Sequence, residues 1–384
     1  MDAQATAKIP RAFLEMPDPR QSNITHRLID LLTIALFAII CGAEDWVTVE
    51  LYGRCKHDWL KTFLELPHGI PSHDTFGRLF ARLDPDAFES CFRTWMASVV
   101  EWSGGKLVAI DGKSLRRSFQ HGWDKSGMAH MVSAFVEDNK MVFAQEKTDG
   151  KGQELSAIDK LLGMLDLKGA VVSIDAIGTQ KQVASNILKA GANYILQVKE
   201  NQPTLAAKLA GSMDDAILDH FNDLSHDRFE ETDAGHGRIE KRTLWVCWEP
   251  HELLGDLAGE WPGLKALIAV ERTRESTSKT GTPRTSTERH YYIASLDRRT
   301  KAKRLAGYVR GHWSVENNLH WQLDVSFRED ERRIRKGHGA ENFSRMCRAA
   351  LNLLKNETTS QGGIASRRKK CGWENDYLLK VIAG

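Results

Sequence analysis

Apolar residues change rhythm near residue 103. Before it they recur at helical spacing; after it they come in short runs bounded by glycine and polar turns. Leu28–Cys41 is nearly continuous apolar sequence and predicts a buried helix within Thr25–Gly42. Val47, Leu51, Trp59, Leu60 and Phe63 predict a second over Asp45–Leu66. Pro67–Ser72 reads as a turn, with Ser72 capping a helix over His73–Leu83, and Ala87–Trp102 as a further helix. Two helices joined by a tight turn, the second carrying His73, Thr75, Arg78 and Arg82, allow either a packing module or a helix-turn-helix. Without a basic excess the packing module is favoured over base reading, and contact with a DNA backbone stays open.

Beyond the change of rhythm, Lys106–Ile110 reads as a buried strand closed by Asp111, with Gly112 turning the backbone. Met131–Glu137 and Met141–Gln145 form a hairpin around Asp138-Asn139, and Glu154–Leu165 is amphipathic. Gly169–Ile174 is a second buried strand ending in an acid, Asp175. Gln180–Ala190 is a helix and Tyr194–Val198 a strand. This β-β-β-α-β-α-β order matches a ribonuclease-H-like fold, an α/β mixed five-stranded sheet with helices on both faces. Its first and fourth strands are neighbours, which brings Asp111 and Asp175 together.

The rest of the chain completes the plan. Residues 1–102 form a helical N-terminal domain with an extended arm over 1–22. Residues 103–203 begin the catalytic domain, 204–300 form a β-rich insertion, 301–356 supply the last catalytic helices, and 357–384 are a basic tail. A helix starting at Gly311 or Ser314 places Trp313, Glu316 and His320 on one face. Trp313 and Trp321 read as core, and the arginines between 328 and 348 as a surface facing phosphate.

Composition changes this picture little. The chain has 384 residues, 41% hydrophobic and 27% charged, with a formal charge of +2. Polyanion binding must therefore come from local clusters. Six scattered cysteines without Cys-x-x-Cys exclude a zinc ribbon or disulfide scaffold and fit a reducing cytoplasm. No apolar run is long enough to span a bilayer, and no signal peptide is evident, so no membrane partner is expected. No Gly-x-Gly-x-x-Gly or phosphate-loop motif follows a strand, which excludes the dinucleotide and P-loop readings. Carboxylates at strand ends beside Lys113, Arg116 and Arg117 suit phosphate chemistry, the acids holding metal and the bases holding phosphate.

A set of motifs carries a family resemblance. They are Ala109-Ile-Asp-Gly-Lys113, Ser173-Ile-Asp-Ala-Ile-Gly-Thr-Gln180, Val198-Lys-Glu-Asn-Gln202, His312-Trp-Ser-Val-Glu-Asn317, Leu319–Val325 and Arg348–Leu354. With Pro71–Phe76, the chain from about Pro17 to Lys355 resembles an insertion-sequence DDE transposase, of the group containing the H-repeat-associated proteins. The resemblance implies a triad of Asp111, Asp175 and Glu316 holding Mg²⁺, with Mn²⁺ able to substitute. It implies cleavage at element ends, strand transfer into target DNA, and a homodimer in the DNA complex of a nucleoid-associated bacterial protein. Related transposases place a Tyr, an Arg and a Lys around the helical Glu. Here Val309, His312 and Leu323 fall at or near those places, with Tyr308 and Arg310 out of register. The expected DNA contacts are Lys113, Arg116, Lys199, Gln202, Arg310, His312, Asn317, His320, Arg332 and Arg335. Two other readings remain: a domesticated, inactive DNA-binding protein, and a nuclease of the same fold without strand transfer.

Overall fold

The computed structural model describes residues 13–22, 24–99, 106–119, 128–148, 152–235, 238–277 and 283–383. The first helices are α1 (Leu28–Cys41), α2 (Trp46–Cys55), α3 (His57–Leu60), α4 (His73–Arg82) and α5 (Pro85–Val99). Then come β1 (Leu107–Ser114), β2 (His130–Val136), β3 (Met141–Thr148), α6 (Glu154–Met164), β4 (Val171–Ile174), α7 (Lys181–Lys189) and β5 (Asn193–Val198). They are followed by α8 (Pro203–Leu218), β6 (His226–Gly235), β7 (Arg238–Cys247), the short helices α9 (Pro250–Leu254) and α10 (Asp256–Gly259), β8 (Ala266–Thr277) and β9 (Pro283–Ala294). The last helices are α11 (Ala302–Val315), two π-helical segments (Glu316–His320 and Gln322–Ser326), α12 (Gly339–Asn356), α13 (Ile364–Trp373) and α14 (Asn375–Ala383).

Contacts divide the chain into two compact units: Met1–Ser103, Gly112–Ala157 and Val315–Gly384 in one, Gly104–Asp111 and Ile158–Ser314 in the other. The first is built on α12. This helix is buried along nearly its whole length, charged residues included. Arg345 lies between Glu89 and Glu341 at 3.1 and 3.0 Å, and Arg348 meets Glu329 at 3.0 Å, all five side chains buried. Cations this deep persist only when paired. These two arginines are core residues, so the expected phosphate-facing surface over 328–348 loses its C-terminal end.

Asn352 of the same helix accepts from the Val142 amide at 3.0 Å and donates to the Val142 carbonyl at 2.6 Å. Glu89 accepts from the Gln145 amide at 2.9 Å. These side chains satisfy backbone groups of β3 that no further strand pairs. The helices of residues 28–99, expected as a separate domain, thus share one core with the β2–β3 hairpin and the C-terminal helices. Ser72 caps α4 as expected. The second expected helix breaks at Lys56 into α2 and α3. Phe13 and Met16, in the expected arm, are buried, and Phe13 lies 5.4 Å from the Phe88 ring; residues 1–12 lie outside the described residues. The expected basic tail forms α13 and α14, with Arg368 buried against the Ile39 carbonyl at 2.7 Å.

In the second unit the strand order is β1-β4-β5-β9-β8-β7-β6. β1, β4 and β5 are parallel; β9, β8, β7 and β6 continue antiparallel from β5. The mixed α/β class is as expected, but the sheet exceeds five strands, because the β-rich stretch pairs onto β5. The first half of β8, Ala266–Val270, is apolar and supplies the core with Leu244, Tyr292 and Ala294. Its second half is polar and held by cross-strand pairs such as Arg272–Glu288 and Thr273–Thr287. Leu305, Tyr308 and Val309 of α11 pack on the same core.

Candidate active site

Register fixes the first two acids. Ile110 of β1 pairs with Ile174 of β4 in parallel ladders, so Asp111 and Asp175 follow directly at the same level. Apolar residues make this junction rigid: Leu107–Ile110 and Val171–Ile174 are all buried. The two acids then diverge. Asp175 caps a short 3-10 turn, its Oδ1 accepting from the Ile177 amide at 3.2 Å. Gly178 is required there, since a Cβ would meet Ile174 Cγ2 at 2.3 Å. The Asn201 amide reaches the Ala176 carbonyl at 2.5 Å, and Gln202 donates to the Thr179 carbonyl at 3.0 Å. Asn201 and Gln202, from the Val198–Gln202 motif, thus hold the loop that presents Asp175.

Asp111 does not end its strand, as the sequence suggested; β1 runs on to Ser114. Gly112 serves close approach rather than a turn, for a Cβ on it would sit 2.4 Å from His130 Nε2. His130 is buried between the Ser114 hydroxyl, 2.9 Å from Nδ1, and Glu154, 3.1 Å from Nε2. Lys113 Nζ lies 2.7 and 2.8 Å from the two carboxylate oxygens of Asp324 and 3.6 Å from Asp330. Arg116 meets Asp330 at 3.0 Å.

Glu316 opens the first π-helical segment, its side chain about two-thirds exposed. His320, one turn on and buried, donates Nδ1–H to it at 3.0 Å. That hydrogen bond outweighs partial desolvation and holds the Glu316 carboxyl below its ordinary range, ready as an anionic ligand. π-helical turns are rare and are frequently found at functional sites. The helix begins at Ala302, well before the expected start, because Ala302–Val315 packs on the sheet.

The other expected contacts are placed variously. His312 Nδ1 lies 3.0 Å from Ser173 Oγ of β4, two residues before Asp175. Arg310 pairs with Glu231 and Asp233. Arg332 donates to the Phe327 carbonyl and lies over the Phe343 ring, and Arg335 lies over Phe119. Lys199, Arg116 and Asn317 are exposed. Trp313 and Trp321, read as core, are half exposed, at 51% and 50%. Missed in the sequence were the Lys113–Asp324 pair, the His130 contacts and the π-helical turns. The first two join distant segments, and no residue pattern announces the third.

A family model described as "Transposase DDE domain" matches residues 102–353, and one described as "DDE_Tnp_1-associated" matches residues 11–96. The chain belongs to the DDE transposase family. It is 38% identical over 373 residues, 96% of both chains, to "Putative protein YbfL" and to "H repeat-associated putative transposase YhhI", both of Escherichia coli K12. It is 38% identical over 373 residues to "Putative transposase YncI" of E. coli O157:H7, covering 96% of this chain and 92% of that one. The group expected from the motifs is therefore the right one. No helix among the described residues is long and apolar enough to cross a membrane.

Proposed function

We propose that the protein is a metal-dependent DNA transposase that cuts at the ends of its element and joins them to target DNA. Asp111, Asp175 and Glu316 serve as the metal-holding acids. The observation that carries this is the Ile110–Ile174 register, which brings Asp111 and Asp175 to the same level at the ends of paired segments of adjacent parallel strands. An all-oxygen acid set suits Mg²⁺, which takes few protein ligands and leaves room for phosphate and water. Divalent ions bound there would activate the attacking oxygen and stabilise the departing 3′-oxygen. The chain's own part is to hold the carboxylates in place. His320 does so for Glu316 and favours its ionised form, and the Ala176–Gln180 loop positions Asp175. Exposed Lys199, Arg116 and Asn317 are the leading DNA contacts, and two chains act together when two element ends are paired.

The test is cleavage and joining of an element-end duplex with Mg²⁺ or Mn²⁺. Asp111→Ala and Asp175→Ala are each expected to abolish both steps while gel-shift binding of the duplex persists. Cleavage retained in either variant overturns the assignment. Cleavage without joining by the unaltered protein makes it a nuclease instead.

A further inference from the structure

Lys113 stands two residues beyond Asp111 on the same strand and is almost fully buried, at 9% exposure. A lysine reaching for DNA phosphate would be expected to keep its ammonium in solvent. This one instead grips both oxygens of Asp324, at 2.7 and 2.8 Å. Asp324 lies in the second π-helical segment, eight residues after Glu316 and on the same run of helical turns. The neighbouring acids have their own partners: Arg116 meets Asp330 at 3.0 Å, and Arg348 and Ser344 hold Glu329 at 3.0 and 2.8 Å. Lys113 is thus matched to Asp324 in particular.

A second observation supports a task beyond packing. β1 is pinned at each residue after Asp111, with Gly112 under the His130 ring, Lys113 on Asp324, and Ser114 on His130. Of these ties, Lys113–Asp324 reaches the turns that follow Glu316. We infer that Lys113 and Asp324 are positioning residues, a charged clamp between the strand that presents Asp111 and the helix that presents Glu316. By fixing the turns that follow Glu316, the clamp holds that acid in place for a divalent ion. It rests on the metal site proposed above and reassigns Lys113 from phosphate contact to internal support.

The experiment measures Mn²⁺ binding to the DNA-free full chain by electron paramagnetic resonance. Metal dependence of cleavage and gel-shift affinity for an element-end duplex are measured beside it. Asp324→Asn keeps shape and removes the charge, so folding, checked by circular dichroism, should survive. Asp324→Asn is expected to weaken Mn²⁺ binding about tenfold, the scale of losing an outer-shell partner. The half-saturating Mn²⁺ concentration for cleavage should rise in parallel, with duplex affinity within about twofold. The swap Lys113→Asp/Asp324→Lys should regain most of the loss, which direct ligation by Asp324 would not give. Unchanged Mn²⁺ binding in folded Asp324→Asn, or a swap no better than the single variant, overturns the clamp while leaving the metal site standing. Wild-type Mn²⁺ binding in Asp111→Ala overturns the metal site, and the clamp with it.

Discussion

Glu50 and His73 meet twice: one carboxylate oxygen of Glu50 accepts from both the backbone amide and the Nδ1 of His73, each at 2.7 Å. The contact joins α2 to the first turn of α4, the pair of helices with a helix-turn-helix outline. Its other oxygen accepts from Arg54 at 2.5 Å.

These bonds depress the Glu50 carboxyl to about 2, the His73 amide contributing most. A depressed carboxylate stabilises the fold fully above its unfolded value of 4.5 and loses that contribution as pH falls toward 2. Stability should therefore decline across that acid window in the native chain. Glu50→Gln should lower stability at neutral pH by about 1–2 kcal/mol, the range for a lost charge-assisted bond. It should also flatten the acid limb. Urea denaturation at a series of pH values checks both, and an unchanged acid limb would show that Glu50 does not govern it.

Arg348 and Glu329 form a buried pair at 3.0 Å, with Ser344 donating to the same glutamate oxygen at 2.8 Å. Arg348→Met strands the carboxylate in the core and should cost about 3–5 kcal/mol. Adding Glu329→Gln removes the stranded charge and should return much of it. Chemical denaturation of both variants and the double mutant measures the coupling, and strictly additive losses would contradict it.

Gly112→Ala tests the close approach beside Asp111. The new Cβ would lie 2.4 Å from His130 Nε2, and the ring is confined by Ser114 and Glu154. Overpacking of this kind should cost about 1–3 kcal/mol. His130→Ala in the same chain makes room for the methyl, so the added cost of Gly112→Ala should fall to near zero on that background. Thermal melts of the four proteins give the answer.

Much of this was legible because it follows from local pattern. Paired apolar runs at 106–110 and 169–174 predicted both strands, and the resemblance carried by the Ala109–Lys113, Ser173–Gln180 and His312–Asn317 motifs named the three proposed acids. What escaped notice depends on tertiary neighbours. The β-rich stretch reads as an insertion because alternation shows that strands exist, not which strand they join; the Val198–Tyr291 and Leu196–Ile293 pairings make them one sheet. Arg345 and Arg348 read as surface because burial of a cation depends on acids far away in sequence, Glu89 for one and Glu329 for the other. Gly112 reads as a turn because a glycine letter does not distinguish a bend from a ring packed on its Cα.

Lys199 and Gln202 separate DNA affinity from site geometry within one motif. Lys199 is exposed just after β5, whereas the Gln202 side chain is spent on the Thr179 carbonyl and Gln180 of the loop after Asp175. Lys199→Ala removes an exposed charge proposed to meet DNA phosphate and should weaken duplex binding alike for all sequences. The slope of log affinity against log salt should fall by about 1. Gln202→Ala keeps every charge, so its salt slope should match the native one. It loosens the Asp175 loop, and cleavage by the bound protein should fall about tenfold or more, since small misplacements of a catalytic group are costly. Salt-dependent gel shifts beside single-turnover cleavage at saturating protein read the two effects apart. A Gln202→Ala protein with lowered affinity, a reduced salt slope and native single-turnover cleavage would make Gln202 a DNA contact after all.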